Sequence, residues 1–106
     1  MRIFDLSQSH KGWFIGDFEP SELKTPNCEV AIRSYEKGQK DPWHYHKIAT
    51  EVTFVLQGRV RMMDTIVEEG QGIVLEPGDG SAFEALEDSR LCIVKIPSIA
   101  GDKYEQ

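Results

Sequence analysis

Gly38–Gly58 reads GQKDPWHYHKIATEVTFVLQG, and its chemistry sits in three residues. His44 and His46 stand two apart, so in an extended strand both rings leave the same face. Four residues separate His46 from Glu51, which opens the next apolar run. A short bend there folds the carboxylate back onto the histidine face. Two imidazoles and one carboxylate meeting at a point make a metal-binding set with positions left open for a ligand. Gly38 ends one strand, and Gly58 supplies a tight Gln57–Gly58 turn into Arg59–Met62.

Outward from this stretch the chain alternates. Glu51, Thr53 and Val55 share one face of their strand, and Val52, Phe54 and Leu56 share the other. With Glu51 facing inward, the second set needs cover from outside, part of it expected from the N-terminal strand at Trp13 to Phe18. Upstream, Glu29 to Glu36 is predicted as a strand, with Val30 and Ile32 on one face and Ala31, Arg33 and Tyr35 on the other. Trp13 to Phe18 reads as an aromatic strand ended by Glu19-Pro20. Ile3–Leu6 is a candidate edge strand, and Ser21 to Asn27 a loop with room for one helical turn at Ser21–Leu23. Lys37 to Pro42 reads as a polar loop before a histidine strand at Trp43–Lys47. Downstream, short strands are expected at Val60–Met63, Ile66–Val67, Ile73–Leu75, Ala82–Leu86 and Leu91–Ile96, separated by turn residues. The tail from Ser98 to Gln106 is polar and reads either as a loose end or as cover for a neighbour. Eight to ten short strands with no helical period define an all-β sandwich or barrel.

The spacing of Gly38, His44, His46, Glu51 and Gly58 resembles the first signature motif of the cupin superfamily. That motif is a glycine, five residues, His-x-His, three or four residues, a glutamate, six residues and a closing glycine. The resemblance, in strand spacing, spans residues 28–97. It implies a double-stranded β-helix, or jelly-roll, barrel with the three ligand-type residues pointing inside. The expected organisation is one domain over 1–106, with N-terminal strands (1–27) and the polar tail (98–106) flanking the barrel. The second cupin motif is degenerate. Gly70 and Gly78 keep their places, but Glu76 takes the proline position, with the proline moved on to Pro77. Ser81 stands where the motif has a metal-binding histidine, and Ala85 where it has asparagine.

Two consequences compete. Either His44, His46 and Glu51 suffice to hold a divalent transition metal (Fe, Mn, Zn or Ni), with Ser81 binding a metal-held water or a substrate oxygen, or the site is weak or empty. Phe83 shares strand parity with Ser81, and Tyr35 with Arg33; with Thr53 these are the pocket candidates. An inward Arg33 points to an anionic substrate. The resemblance is compatible with metal-dependent isomerases, epimerases and dioxygenases acting on a small polar, sugar-like substrate. The alternative, favoured by the missing second-motif histidine, is a non-catalytic barrel that binds or senses a small molecule. Cupin barrels often pair through outer sheet faces, so the Val52, Phe54 and Leu56 stripe implies a homodimer.

Composition narrows the field. The 106 residues carry 12 basic and 18 acidic side chains, a formal charge of −6, which argues against nucleic-acid and anionic membrane partners. No apolar run approaches the ~20 residues that span a bilayer, and the start, MRIFDLSQSH, lacks the apolar core of a signal peptide. A cytoplasmic protein is expected. Cys28 and Cys92 form no CxxC pair and read as two buried free thiols, although neighbouring strands would allow them to meet. His10 reads as a surface residue, and Arg59 and Arg61 as members of surface ion pairs.

Overall fold

The computed structural model describes residues 1–106. Its ten strands are β1 (Trp13–Gly16), β2 (Leu23–Lys24), β3 (Glu29–Tyr35), β4 (Lys40–His44), β5 (Thr50–Gln57), β6 (Arg59–Met62), β7 (Thr65–Glu68), β8 (Gly72–Leu75), β9 (Ser81–Ala85) and β10 (Ser89–Ile96). One sheet runs β2-β1-β3-β10-β5-β8 and the other β4-β9-β6-β7. The pairing from β3 onward is nested: β3 with β10, β4 with β9, β5 with β8 and β6 with β7, all antiparallel. The chain is one long hairpin whose successive pairs fall in alternate sheets. This is the double-stranded β-helix, and the two sheets close over a common core.

The inner face of the larger sheet can be read in rows from the register. Arg33, Leu91 and Val55 lie side by side, then Ala31, Ile93, Thr53 and Ile73, then Glu29, Lys95, Glu51 and Leu75. The middle of the barrel is apolar: Val55 and Val60 have no exposed surface and Leu91 has almost none. Burial of each such side chain stabilises by roughly 1.5–3 kcal/mol. The last row turns polar, and the histidines approach it from β4.

Gly58 turns the chain between β5 and β6 at φ +93°, and a Cβ there would lie 2.3 Å from Ser89 Oγ. Both the backbone conformation and the space demand glycine. On the surface, Arg61 pairs with Glu84 at 3.2 Å and Arg59 approaches Glu87 at 3.9 Å. Cys28 and Cys92 are free, and half-buried rather than buried. No helix is long and apolar enough to cross a membrane.

Several local expectations are corrected. Leu6–Gln8 is a 3-10 turn rather than the end of an edge strand, because Asp5 caps it by accepting the Ser7 N–H at 2.9 Å. Leu23–Lys24 adds to the sheet in parallel beside β1 in place of a helical turn. β4 begins at Lys40 and includes Pro42, which the edge position of β4 and an irregular register between Asp41 and His44 accommodate. The histidine strand therefore ends at His44, short of His46. β1 extends the sheet at the side of β3 and packs Trp13 against the core, so it does not cover the β5 stripe. Phe54 and Leu56 remain 39% and 42% exposed. The polar tail is not loose: Tyr104 and Tyr45 exchange two backbone hydrogen bonds at 2.9 and 3.0 Å.

Candidate metal centre

β5 alternation turns Glu51 inward, where it is 7% exposed, and Thr53 beside it is fully buried. His44 stands at the end of β4, half-buried, and His46 follows one residue past Tyr45, 6% exposed. The two rings meet edge to face, centroids 5.4 Å apart. One ligand atom from each of His44, His46 and Glu51 lies within 4.8 Å of the others, a group able to hold a metal ion.

Backbone carbonyls set the direction of both rings. His44 Nδ1 donates to the Pro42 carbonyl at 3.1 Å, and His46 Nδ1 donates to the carbonyl of Asp102. A carbonyl offers no proton, so the proton of each neutral ring sits on Nδ1 and the Nε2 lone pair is left free. His46 Nε2 is buried with no hydrogen-bond partner. It lies 3.3 Å from Glu51 Oε1, close but outside hydrogen-bond geometry. An orphaned ring nitrogen facing a carboxylate fits a metal ion between them.

The charges agree. The Glu51 carboxylate holds the His46 ring above its ordinary pKa against the opposing effect of burial, and the Asp102 carbonyl adds to the rise. Burial pushes the Glu51 carboxyl up, but His46, the Thr53 hydroxyl, which donates to Oε2 at 2.8 Å, and the Lys95 charge outweigh it and hold Glu51 below its usual value. Glu51 is therefore an ionised oxygen donor at neutral pH.

Asp102 is the functional residue that sequence reasoning missed. Its carboxylate accepts the N–H groups of Lys47 and Ala49, both at 2.9 Å, and of Ile48 at 3.2 Å. These three amides belong to the bend that carries the chain from His46 back to Glu51. The Gly78 N–H fixes the same segment from the other side by donating to the His46 carbonyl at 2.7 Å. The degenerate second motif thus keeps a backbone role. Asp102 lies 56 positions from His46, so local spacing carries no signal of it.

The centre opens into a cavity of about 330 Å³. Arg33, Tyr35, Thr53 and Phe83 all line it with His44 and Glu51. Tyr35 packs against Phe83 with ring centroids 4.6 Å apart and planes tilted by 45°, and burial pushes its phenol up to about 12. Ser81 differs. It pairs with His44 across β4 and β9, but its hydroxyl accepts the Met63 N–H at 2.9 Å and donates to the Ala82 carbonyl at 2.6 Å. It lines a neighbouring cavity with Trp43 and Met63 instead. The one proton of the Ser81 hydroxyl is thus spent on the backbone rather than on the cavity beside His44 and Glu51. His10, expected on the surface, is exposed but sits at the mouth of the His44 and Glu51 cavity.

No family model matches the sequence, and no curated protein matches it. Solved structures match the fold. An uncharacterized conserved protein with a double-stranded β-helix domain from Klebsiella pneumoniae superposes with a TM-score of 0.70 at 20% identity, over 94% of this chain and 88% of that one. KdgF from Halomonas sp. gives 0.64 at 21% identity, over 71% and 74%. The bacterial pirin YhhW from Escherichia coli, in complex with nickel(II), gives 0.67 at 16% identity; 83% of this chain matches only 39% of that one. What these structures share with the chain is the fold, the small cupin barrel.

Proposed function

We propose that this barrel binds a divalent transition metal through His44, His46 and Glu51 and acts on a small polar, sugar-like substrate in the adjoining cavity. The observation that carries the reading is the buried, unpartnered Nε2 of His46 facing the ionised Glu51. When bound, the metal supplies Lewis acidity toward a carbonyl or hydroxyl oxygen. The chain supplies the rest. Thr53 fixes the Glu51 carboxylate, backbone carbonyls hold both rings in one tautomer, and Tyr35 retains its proton at Oη beside the cavity. That the pirin YhhW, in complex with nickel(II), shares the fold supports the metal part of the reading. The two free cysteines support a reducing, cytoplasmic setting.

The test is metal analysis of protein purified without chelator or a nickel column. One ion per chain is expected, lost in His46→Ala. Chelator should lower the melting temperature of wild type and leave His46→Ala unmoved, since an ion at a hundredfold excess over its Kd adds about 2.7 kcal/mol to the folded state. Identical wild-type melting with and without chelator overturns tight binding.

A second reading is a binding or sensing barrel without turnover. The observation favouring it is Ser81, whose committed hydroxyl leaves the centre with three protein ligands. Saturable binding of a small molecule to metal-loaded protein, with no product formed, would decide for it.

We propose further that two copies pair through the outer face of the larger sheet. Across it Ile32, Cys92 and Phe54 are neighbours in register, as are Val30, Val94, Val52 and Val74. This apolar face continues through four strands, and a two-fold pair is the commonest way to cover such a surface.

A further inference from the structure

The lining of the metal-site cavity runs against the charge of the chain. Of 12 lysines and arginines, four (Lys11, Arg33, Lys95 and Lys103) line it; of 18 acidic residues, only Asp41 and Glu51 do. A net charge of −6 spread at random would make this wall acidic. The four cations also come from four separate segments: the turn before β1, the β3 strand, the β10 strand and the C-terminal tail. No single local pattern explains their convergence.

Lys95 has partners, lying 3.8 Å from Glu29 and opposite Glu51 in the β5 register. The other three make no ion pair. Arg33 is half-buried with its guanidinium 5.0 Å from the Tyr35 ring centre, which leaves its N–H groups uncommitted. Lys11 sits at φ +54°, followed by Gly12 at φ +89°. Turns of that kind favour asparagine or glycine at the first position, so a lysine there is an unfavourable backbone choice. Lys103 adjoins Asp102, the residue that fastens the histidine bend.

We infer that this cationic collar receives an oxyanion of the substrate, so that the site takes a polyol bearing one carboxylate or phosphate. The inference rests on the reading of His44, His46 and Glu51 as the metal site only in assigning the substrate's remaining oxygens to that centre. Arg33 is the anchor, because a guanidinium meets a planar or tetrahedral oxyanion through two parallel N–H bonds. Lys11 and Lys103 add charge at the mouth. Such a wall rejects the neutral polyol by leaving its own charges unmatched.

The test is calorimetric titration with three probes on one six-carbon chain: glucitol, gluconate and glucitol 6-phosphate. Each is run on metal-free and on manganese-loaded protein. One of the anions is expected to bind at least about tenfold tighter than glucitol, as a charge-assisted contact provides, and the preference should fall with added salt. Which anion it is decides between carboxylate and phosphate. Arg33→Gln and Lys103→Gln should each weaken that anion by about tenfold relative to glucitol, with metal content unchanged. Should Arg33→Gln not fold, the exposed Lys11→Gln and Lys103→Gln pair carries the test. Three probes that bind alike, or none that binds, overturn the collar; so does a preference unchanged in every variant. Loss of metal binding with the anion preference intact would sink the metal reading alone.

Discussion

At the scale of single residues, the centre is built by groups that spend their hydrogen bonds on the backbone. Ser81 is the clearest case. Its hydroxyl ties β9 to Met63, so Ser81→Ala should cost about 1 kcal/mol of stability and leave metal affinity as it is in the wild type. A drop in affinity would return Ser81 to the site. Asp102 works with the opposite consequence. Burial pushes its carboxyl up, but the amides of Ala49, Lys47 and Ile48 outweigh this and hold it below the ordinary range. A depressed folded value gives stability that is complete above the ordinary carboxylate pKa of about 4, and that is lost as pH falls through the folded value. Melting temperature should therefore fall less steeply on the acid side for Asp102→Asn than for wild type; parallel acid limbs would show that Asp102 carries no such linkage. The same reasoning explains what the sequence could convey. His44, His46 and Glu51 are within eight positions, so their meeting is legible from the two-residue spacing of the histidines and one short bend to Glu51. Lys95 and Asp102 reach them from 44 and 51 positions beyond Glu51, and only the pairing of β10 with β5 and the docking of the tail bring them in.

At the scale of elements, the strands whose two faces differ in polarity were legible and those defined by an edge were not. β5 alternates so cleanly that its inner and outer sets follow from residue type. β4 does not, because Pro42 breaks the local pattern and is tolerated only where no further strand pairs beyond it. The tail after β10 is polar throughout, and polarity alone does not distinguish a free end from one that caps a bend. Its docking through Tyr104, and the Tyr45 hydroxyl that donates to the Gln106 carbonyl at 2.8 Å, make it an element in its own right. Removing Gly101–Gln106 should leave the barrel folded but release the His46 ring. Metal affinity should fall roughly 10–100-fold, the usual effect of losing an outer hydrogen-bond partner of a ligand. Far-ultraviolet circular dichroism close to wild type, with weakened metal binding, is the expected pair of results; full affinity in the truncated chain would show that Asp102 does not orient the ring.

At the scale of the whole molecule, the nested pairing gives one barrel with a polar end and an apolar outer sheet. Phe54, Leu56 and Val74 are each more than a third exposed, with Val74 at 55%. Sedimentation at micromolar concentration should therefore find a species of twice the 12.0 kDa chain mass. Phe54→Asp should shift it to the single chain, because a carboxylate placed between Cys92 and Gly72 would be buried without a partner in the pair. A single-chain species for wild type removes the dimer; an intact pair in the variant moves the interface to another face.

The bond from His46 to Asp102 also orders events in time. A ribosome makes the ring 56 residues before the carbonyl that aligns it. β10, which lays Lys95 beside Glu51, likewise emerges 44 positions after that carboxylate. While the nascent chain is incomplete, the two imidazoles exist without their alignment. The aligned centre therefore comes into being only after synthesis has passed Asp102, which sets the earliest moment at which all three side chains can share one ion.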